Sequence, residues 1–199
     1  MIEYGLITRI DANVLEKTID LVCQDFVTQE LHITEIGSNE WRTARGVIEY
    51  VKSKGRFPVY TGIDNFKDAN FDSYLPKIDG SEIRFIGGNS SEVYNEIPDN
   101  SQHILFVDGC HTFPAVIADY FCYKEKVRID GYLVFHDTAS HIKPFTDWQR
   151  VGDKKDPDMY ISVRKALQEV CWGLEFKLVF DEADPLSEAG GMMVLKRVQ

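Results

Sequence analysis

Two apolar runs that each end in ionisable residues constrain the fold of this chain more than any other feature. Residues 104–107 (ILFV) lead directly into residues 108–111 (DGCH), and residues 132–135 (YLVF) lead into residues 136–138 (HDT). Apolar runs without polar alternation are typical of strands covered on both faces, and the connection between them is long enough for a crossover helix. In parallel α/β sheets ligands bind at the carboxyl ends of strands, and neighbouring strands lie about 5 Å apart. Both polar ends are therefore predicted to face one crevice.

Length, charge and hydropathy exclude several classes of protein. The 199 residues suffice for a substantial core and contain no linker-like segment, so residues 1–199 are predicted to form a single domain. A formal net charge of −10 makes nucleic acid or an anionic membrane surface an unfavourable partner. No apolar run reaches the about 20 residues that span a bilayer, and the first residues lack a signal-peptide pattern, which predicts a cytoplasmic location.

Strand and helix patterns alternate along the chain. The predicted helices cover residues 15–30, 41–53, a segment that starts at 89–92, 114–127 and 161–170. The predicted strands cover residues 32–36, 57–63, 83–86, the runs that end at Asp108 and His136, 176–180 and 192–197. This order predicts an α/β fold with a doubly wound, mostly parallel seven-stranded sheet and an antiparallel edge strand.

The ends of the first two strands predict a binding site for a cofactor that contains adenosine. Glu35, Gly37 and Ser38 lie at a strand-to-helix turn, where a glycine lets a ligand approach the backbone. Asp64 follows at the position where an acid binds ribose hydroxyls in dinucleotide folds. The turn lacks the further glycines that cradle a pyrophosphate, which disfavours NAD. The alternative is that Gly37 only forms a tight turn and that Asp64 is a solvated strand end.

Asp108 and Asp137 are predicted to lie close enough to repel each other, so that a proton or a cation must neutralise them. Mg²⁺ binds through one or two carboxylates and keeps other oxygen ligands, which makes it the candidate ion. The alternative is that both carboxylates only hold the loops. His111 is a candidate general base, or else it orients the Asp108 loop by hydrogen bonding.

Two other residues near this site receive structural roles. His136 is expected to point to the opposite face of its strand from Asp137, as a residue that packs or that supports a ligand-contacting residue. Asp119 is expected to tie the crossover helix to the sheet. Four scattered cysteines show neither zinc-ribbon nor disulfide-scaffold spacing, and Cys110 is the one inside the predicted site.

The motif Phe106-Val107-Asp108-Gly109-Cys110-His111, followed by Asp119, Gly131 and His136-Asp137, resembles one branch of the class I S-adenosylmethionine-dependent methyltransferases. This small-molecule branch includes macrolide-sugar O-methyltransferases and cephalosporin-hydroxylase-like proteins. The chain departs from the pattern at Cys110 and at Glu40-Trp41, where the family usually has a polar residue and a small residue respectively.

The resemblance implies S-adenosylmethionine as the cofactor and a role for each residue that matches. Glu35, Gly37 and Ser38 would contact the methionine part, Asp64 the ribose, and Asn89 and Ser90 the adenine, with Asp108 also at the cofactor. For Asn89 and Ser90 a helix N-cap is the alternative. Catechol-type relatives of this fold bind Mg²⁺ through acids at the positions of Asp108 and Asp137, here with His111 as the base.

The predicted reaction is O-methylation of a small-molecule hydroxyl, such as that of a sugar or a secondary metabolite. Phe145, Trp148, Met159 and Tyr160 are candidates for the acceptor wall, although they equally suit packing or a homo-oligomer contact. A metal-dependent hydrolase that uses Asp108, His111, His136 and Asp137 is one alternative function. A binding module that keeps the methyltransferase fold without turnover is the other.

Overall fold

The computed structural model describes residues 7–65, 77–139, 163–170, 172–183 and 190–199. The described helices are α1 (Arg9–Asp25), α2 (Arg42–Ser53), α3 (Ser90–Val93), α4 (Phe113–Tyr123) and α5 (Val163–Glu169). The described strands are β1 (Glu30–Ile36), β2 (Phe57–Asp64), β3 (Glu82–Gly87), β4 (Gln102–Val107), β5 (Val127–His136), β6 (Phe176–Glu182) and β7 (Met192–Arg197).

The seven strands form one sheet in the order β3-β2-β1-β4-β5-β7-β6. The first five are parallel, whereas β7 runs antiparallel to both β5 and β6. The predicted doubly wound sheet with antiparallel pairing at one edge is confirmed. The reversed strand is β7, which lies one place in from the edge because β6 is outermost.

Apolar helix faces cover both sides of the sheet. Helices α1 and α2 pack on one side, where Leu15 and Val47 belong to a continuous buried cluster. Helices α4 and α5 pack on the other side, around Val116 and Leu167. All six residues of β4 are buried, as expected for a central strand covered on both faces.

Parallel register aligns the carboxyl ends of the central strands. Ile36 at the end of β1 pairs with Ile63 of β2 and with Val107 of β4, and Val107 pairs in turn with Phe135 of β5. The residues that follow these strands therefore emerge at one edge of the sheet, where the sequence predicts the site.

The predicted limits of two helices were wrong. Helix α1 begins at Arg9 rather than at residue 15, because Thr8 and Asp11 form a capping box, and its C-cap is Phe26. Helix α4 ends at Tyr123 rather than at residue 127, because residues 124–126 form a 3₁₀ turn and Val127 already begins β5.

Within the ranges given above, no helix is both long and apolar enough to cross a lipid bilayer. The predicted acceptor-wall residues Phe145, Trp148, Met159 and Tyr160 lie outside the described residues.

Candidate active site

The turn after β1 passes so close to the loop after β4 that only glycine fits at position 37. Gly37 has a φ of +87°, and a Cβ there would lie 2.2 Å from the backbone oxygen of Asp108. The Gly37 N–H donates to the Ile63 carbonyl at 2.8 Å, which ties the turn to β2. The turn is thereby held against both neighbouring strands.

A first cavity of about 280 Å³ lies on one side of this turn. It is lined by Gly37, Asp64, Asn89, Ser90 and Asp119, together with residues of the β4–α4 segment. The structure thus brings together the residues that the sequence predicts for ribose and adenine.

Hydrogen bonds hold several of these side chains in place. Asp64 Oδ2 accepts from the Asn39 N–H at 2.8 Å. Ser90 donates from Oγ to Asp119 Oδ1 at 2.6 Å, so Asp119 ties α4 to α3. Asn89 is the N-cap of α3, but its side chain makes no capping hydrogen bond.

A second cavity of about 320 Å³ lies on the other side of the turn. Its lining includes Glu35, Ser38, Asp108, His111, His136 and Asp137. Gly37 also lines it, so the two cavities meet at the β1–α2 turn.

Glu35 lies at the base of the second cavity and is 1% exposed. Its Oε2 accepts a hydrogen bond of 2.8 Å from the Tyr60 hydroxyl. Burial raises the pKa of Glu35 to about 8, because the charged carboxylate loses its hydration. Nearby Asp108 and Asp64 act in the same direction. A cationic ligand group beside Glu35 would favour the charged form.

The side chain of Trp41 packs into the core and leaves the β1–α2 turn open. It adopts a φ of +59° and is 2% exposed. Its ring lies against Gly62 on β2, where a Cβ would come within 2.6 Å of it, and beside Phe85. Trp41 therefore packs into the core, whereas Glu40 lines the second cavity.

Asp108, His111, His136 and Asp137 form the charged cluster of the second cavity. His111 lies between the two acids, with Nε2 at 3.2 Å from Asp108 Oδ1 and Nδ1 at 3.1 Å from Asp137 Oδ2. His136 Nδ1 is 2.9 Å from Asp108 Oδ1 and 3.7 Å from Asp137 Oδ1. The predicted meeting of the β4 and β5 ends is therefore observed.

The expectation that His136 points away from Asp137 was wrong. Asp137 has a φ of +55°, so the chain leaves the regular strand geometry there. Side chains of successive strand residues normally alternate between faces, but this turn brings both to Asp108.

A further acid, Asp11 of α1, contacts the cluster through His136. Its Oδ2 lies 3.3 Å from His136 Nε2 and accepts a hydrogen bond from Thr8 Oγ1 at 2.7 Å. Asp11 Oδ1 accepts from the Gly191 N–H at 3.0 Å, while the Gly190 N–H donates to Asp137 Oδ1 at 2.9 Å. Sequence reasoning missed Asp11. The Thr8-x-x-Asp11 spacing could have indicated a helix start, but not the contact with His136.

The acids and imidazoles of the cluster shift one another's pKa. Burial alone would raise the pKa of Asp108, but His136 and His111 beside it hold that pKa well below its usual range. Burial opposes protonation of His111, yet Asp108 and Asp137 raise its pKa. Against burial, Asp108 and Asp11 raise the pKa of His136 well above its usual value. The imidazoles thus favour the anionic form of Asp108, and the acids favour the cationic form of both imidazoles.

The cluster also has the composition of a metal site. Each of its four residues offers one ligand atom, and these atoms all lie within 4.8 Å of one another. Carboxylates and imidazoles both bind divalent cations. The donors present therefore suit a divalent ion.

Several solved structures similar to this one are described as methyltransferases. A candidate caffeoyl-CoA O-methyltransferase from Staphylococcus aureus superposes with a TM-score of 0.67 at 14% identity, over 98% of this chain and 86% of that one. A candidate O-methyltransferase from Klebsiella pneumoniae gives 0.65 at 10% identity, over 98% and 83%. The Burkholderia thailandensis 1,6-didemethyltoxoflavin-N1-methyltransferase, solved with S-adenosylhomocysteine, gives 0.59 at 11%, over 95% and 80%. The fold is that of a Rossmann-like methyltransferase.

The sequence itself identifies the family. Residues 34–138, from β1 to the end of the β5 loop, match the model of a methyltransferase domain. The chain belongs to this methyltransferase-domain family. No curated protein matches the sequence.

Proposed function

We propose that the protein transfers the methyl group of S-adenosylmethionine to a hydroxyl group of a small molecule. The observation that carries the proposal is that the two cavities meet at Gly37, with Asp64 on one side and the charged cluster on the other. A cofactor lying across the turn would keep its adenosine in the first cavity. Its methyl group would then approach the cluster.

The first cavity supports the adenosine part of this arrangement. Asp64 would accept hydrogen bonds from the ribose hydroxyls. Asn89, whose side chain makes no capping hydrogen bond, and the neighbouring Ser90 would face the adenine. In the second cavity Glu35 would meet the ammonium group of the methionine part, a cation that favours its ionised form.

The transfer needs alignment and removal of one proton. The acceptor oxygen forms a bond to the methyl carbon as the carbon–sulfur bond breaks, and sulfur keeps the electron pair. The hydroxyl proton must leave, and His111 can accept it only in its neutral form. Asp108 and Asp137 favour its cationic form, and a cation bound by these two acids would offset their charge and so favour the neutral form. A divalent cation bound by Asp108 and Asp137 would lower the pKa of the hydroxyl. A second cavity of about 320 Å³ suits a small acceptor.

Oxygen is the proposed acceptor atom. Of the similar structures, two are described as O-methyltransferases, one as an N-methyltransferase and one as a carbon methyltransferase. An amine is a nucleophile once neutral and gains little from a neighbouring cation, whereas a hydroxyl becomes more acidic beside one. The Asp108 and Asp137 pair therefore supports a hydroxyl acceptor.

A metal-dependent hydrolase accounts for the cluster but assigns no role to Asp64 or the first cavity. Calorimetry with S-adenosylhomocysteine separates the two functions. Binding supports the methyltransferase, and absence of binding in correctly folded protein contradicts it.

The acceptor is tested with radiolabelled S-adenosylmethionine against sugars, phenols and amines. We expect label on hydroxyl-bearing compounds. Label on amines alone would overturn the choice of acceptor, and cofactor binding without transfer to any acceptor would favour the non-catalytic module.

A further inference from the structure

We infer that Asp108, His111, His136 and Asp137 bind one divalent transition-metal ion and select it over Mg²⁺. The inference extends the proposed function, in which this cluster holds the acceptor. It goes beyond the predicted pair of acids because it assigns both imidazoles as ligands and changes the class of the ion. In the metal-bound protein His111 is then a ligand instead of the general base, and the ion itself lowers the pKa of the hydroxyl.

The separations within the cluster suit four ligands around one ion. The four candidate ligand atoms lie within 4.8 Å of one another. Metal bonds to imidazole nitrogen and carboxylate oxygen measure about 2.0–2.2 Å, so donors on opposite sides of an ion are about 4.2 Å apart. The widest pair in the cluster would have to approach by up to about 0.6 Å.

The types of donor decide between ions. Mg²⁺ demands oxygen ligands and keeps several of its waters, whereas this cluster offers nitrogen at two of four positions. Affinity of such mixed sites rises from Mn²⁺ through Fe²⁺ and Co²⁺ to Cu²⁺. Two imidazoles therefore favour a transition metal.

Asp11 supplies an observation independent of the cluster composition. Ligating histidines usually donate their second ring N–H to a carboxylate, which fixes the orientation of the ring. His136 has this arrangement, because its Nε2 faces Asp11 Oδ2 at 3.3 Å while its Nδ1 faces Asp108 and Asp137.

Asp11 is itself held rigidly. It is fully buried and accepts hydrogen bonds from Thr8 and Gly191. A Cβ at Gly190 would come within 2.8 Å of Asp11 Oδ2, so a glycine is required beside it. Asp11 is thus a positioning residue that orients His136.

The test measures binding of Co²⁺ and Mg²⁺ to untagged protein that has been stripped with a chelator and desalted. Visible absorption bands of Co²⁺ report ligation, and Mg²⁺ is added as a competitor. We expect one Co²⁺ per chain, bound at least 100-fold more tightly than Mg²⁺. Equal affinity for the two ions, or absence of Co²⁺ binding, would overturn the inference.

Variants identify the ligands. His136→Gln should weaken Co²⁺ binding at least tenfold with little change for Mg²⁺, and Asp11→Asn should weaken it by about 10- to 100-fold. His32→Gln, a change at a partly exposed histidine near the opposite end of the sheet, is the matched control and should leave binding unchanged. Circular dichroism verifies folding. Unaltered Co²⁺ affinity in a folded His136→Gln protein would exclude that ligand and the inference with it.

Calorimetry with S-adenosylhomocysteine on the same stripped protein keeps the two proposals apart. Cofactor binding without Co²⁺ binding would refute the metal site and leave the methyltransferase. Co²⁺ binding without cofactor binding would refute the proposed function and leave the metal site.

Discussion

The side chain of Asp64 accepts a hydrogen bond from the Asn39 N–H and, in the proposed function, would also bind the ribose. Replacing it by alanine should weaken S-adenosylhomocysteine binding at least tenfold, since hydrogen bonds to a charged group contribute about 1.5–3 kcal/mol. Calorimetry measures the change. Glu82→Ala on β3 removes an equal charge from an exposed position and should have no effect. An unchanged affinity in Asp64→Ala would mean that this acid does not bind the ribose.

Asp137 should matter for transfer but not for cofactor binding. Asp137→Asn should lower the rate of methyl transfer by about 10²-fold or more, because it removes a charge that holds the acceptor, while affinity for S-adenosylhomocysteine stays the same. An excess of EDTA should reproduce the loss.

The matched control for this variant is Asp130→Asn. Asp130 lies in β5, which ends one residue before Asp137, also has a positive φ, and pairs with Lys196 away from the cluster. Asparagine tolerates that backbone conformation well. Full activity of Asp137→Asn, or of the wild type in excess EDTA, would limit these acids to shaping the loops.

Sequence reasoning located Asp108, His111 and Asp137 at one crevice, because the carboxyl ends of adjacent parallel strands must meet. It placed His136 wrongly, since the positive φ at Asp137 is a tertiary feature without a sequence signal of its own. It missed Asp11, which reaches His136 across 125 positions of the chain.

At the scale of elements, the β1–α2 turn depends on the missing side chain of Gly37. Gly37→Ala should lower the free energy of unfolding by more than about 2 kcal/mol, because it adds a clash with the Asp108 backbone to the cost of a positive φ. Urea denaturation measures this loss.

Gly55→Ala separates the two contributions. Gly55 also has a positive φ, of +72°, but a Cβ there would meet no atom within 4 Å. Its substitution should cost only about 1 kcal/mol. Equal losses for the two variants would mean that the close approach at Gly37 contributes nothing.

The elements themselves were largely predictable, and their limits less so. Strands β4 and β5 are buried apolar runs whose type is clear from composition. The start of α1 depends on a single capping box at Thr8 and Asp11, which an apolar stripe does not reveal.

At the scale of the whole molecule, His103 makes stability depend on pH. It is 1% exposed, its Nδ1 accepts from the His32 N–H at 3.0 Å, and Arg128 lies against its Nε2. Burial, with help from Arg128 and His32, lowers the pKa of His103 from 6.5 to about 4. Between pH 6.5 and about pH 4 the unfolded chain therefore binds a proton at His103 that the folded chain does not bind. The free energy of unfolding should fall as the pH drops through this window, by about 2 kcal/mol at pH 5.

Urea denaturation of His103→Asn at pH 7 and pH 5 tests this dependence. Asparagine can still accept from the His32 N–H but does not titrate. The difference in the free energy of unfolding between pH 7 and pH 5 should therefore be smaller by about 2 kcal/mol. His32→Gln should keep most of the wild-type dependence, because burial of His103 is the largest cause of its lowered pKa. An unchanged pH dependence in His103→Asn would mean that groups other than His103 cause the loss of stability at low pH.

The insertion of β7 between β5 and β6 has a consequence for biosynthesis. A nascent chain that has already made β5 leaves the edge at Tyr132 and His136 unpaired until β7 emerges. That edge consists of buried apolar residues in the finished protein, and such open strands associate readily with other chains. The same segment brings Gly190 and Gly191 to Asp137 and Asp11. During translation the unpaired edge of β5 can therefore associate with other chains until β7 is added. The charged cluster is also completed only when this last segment is in place.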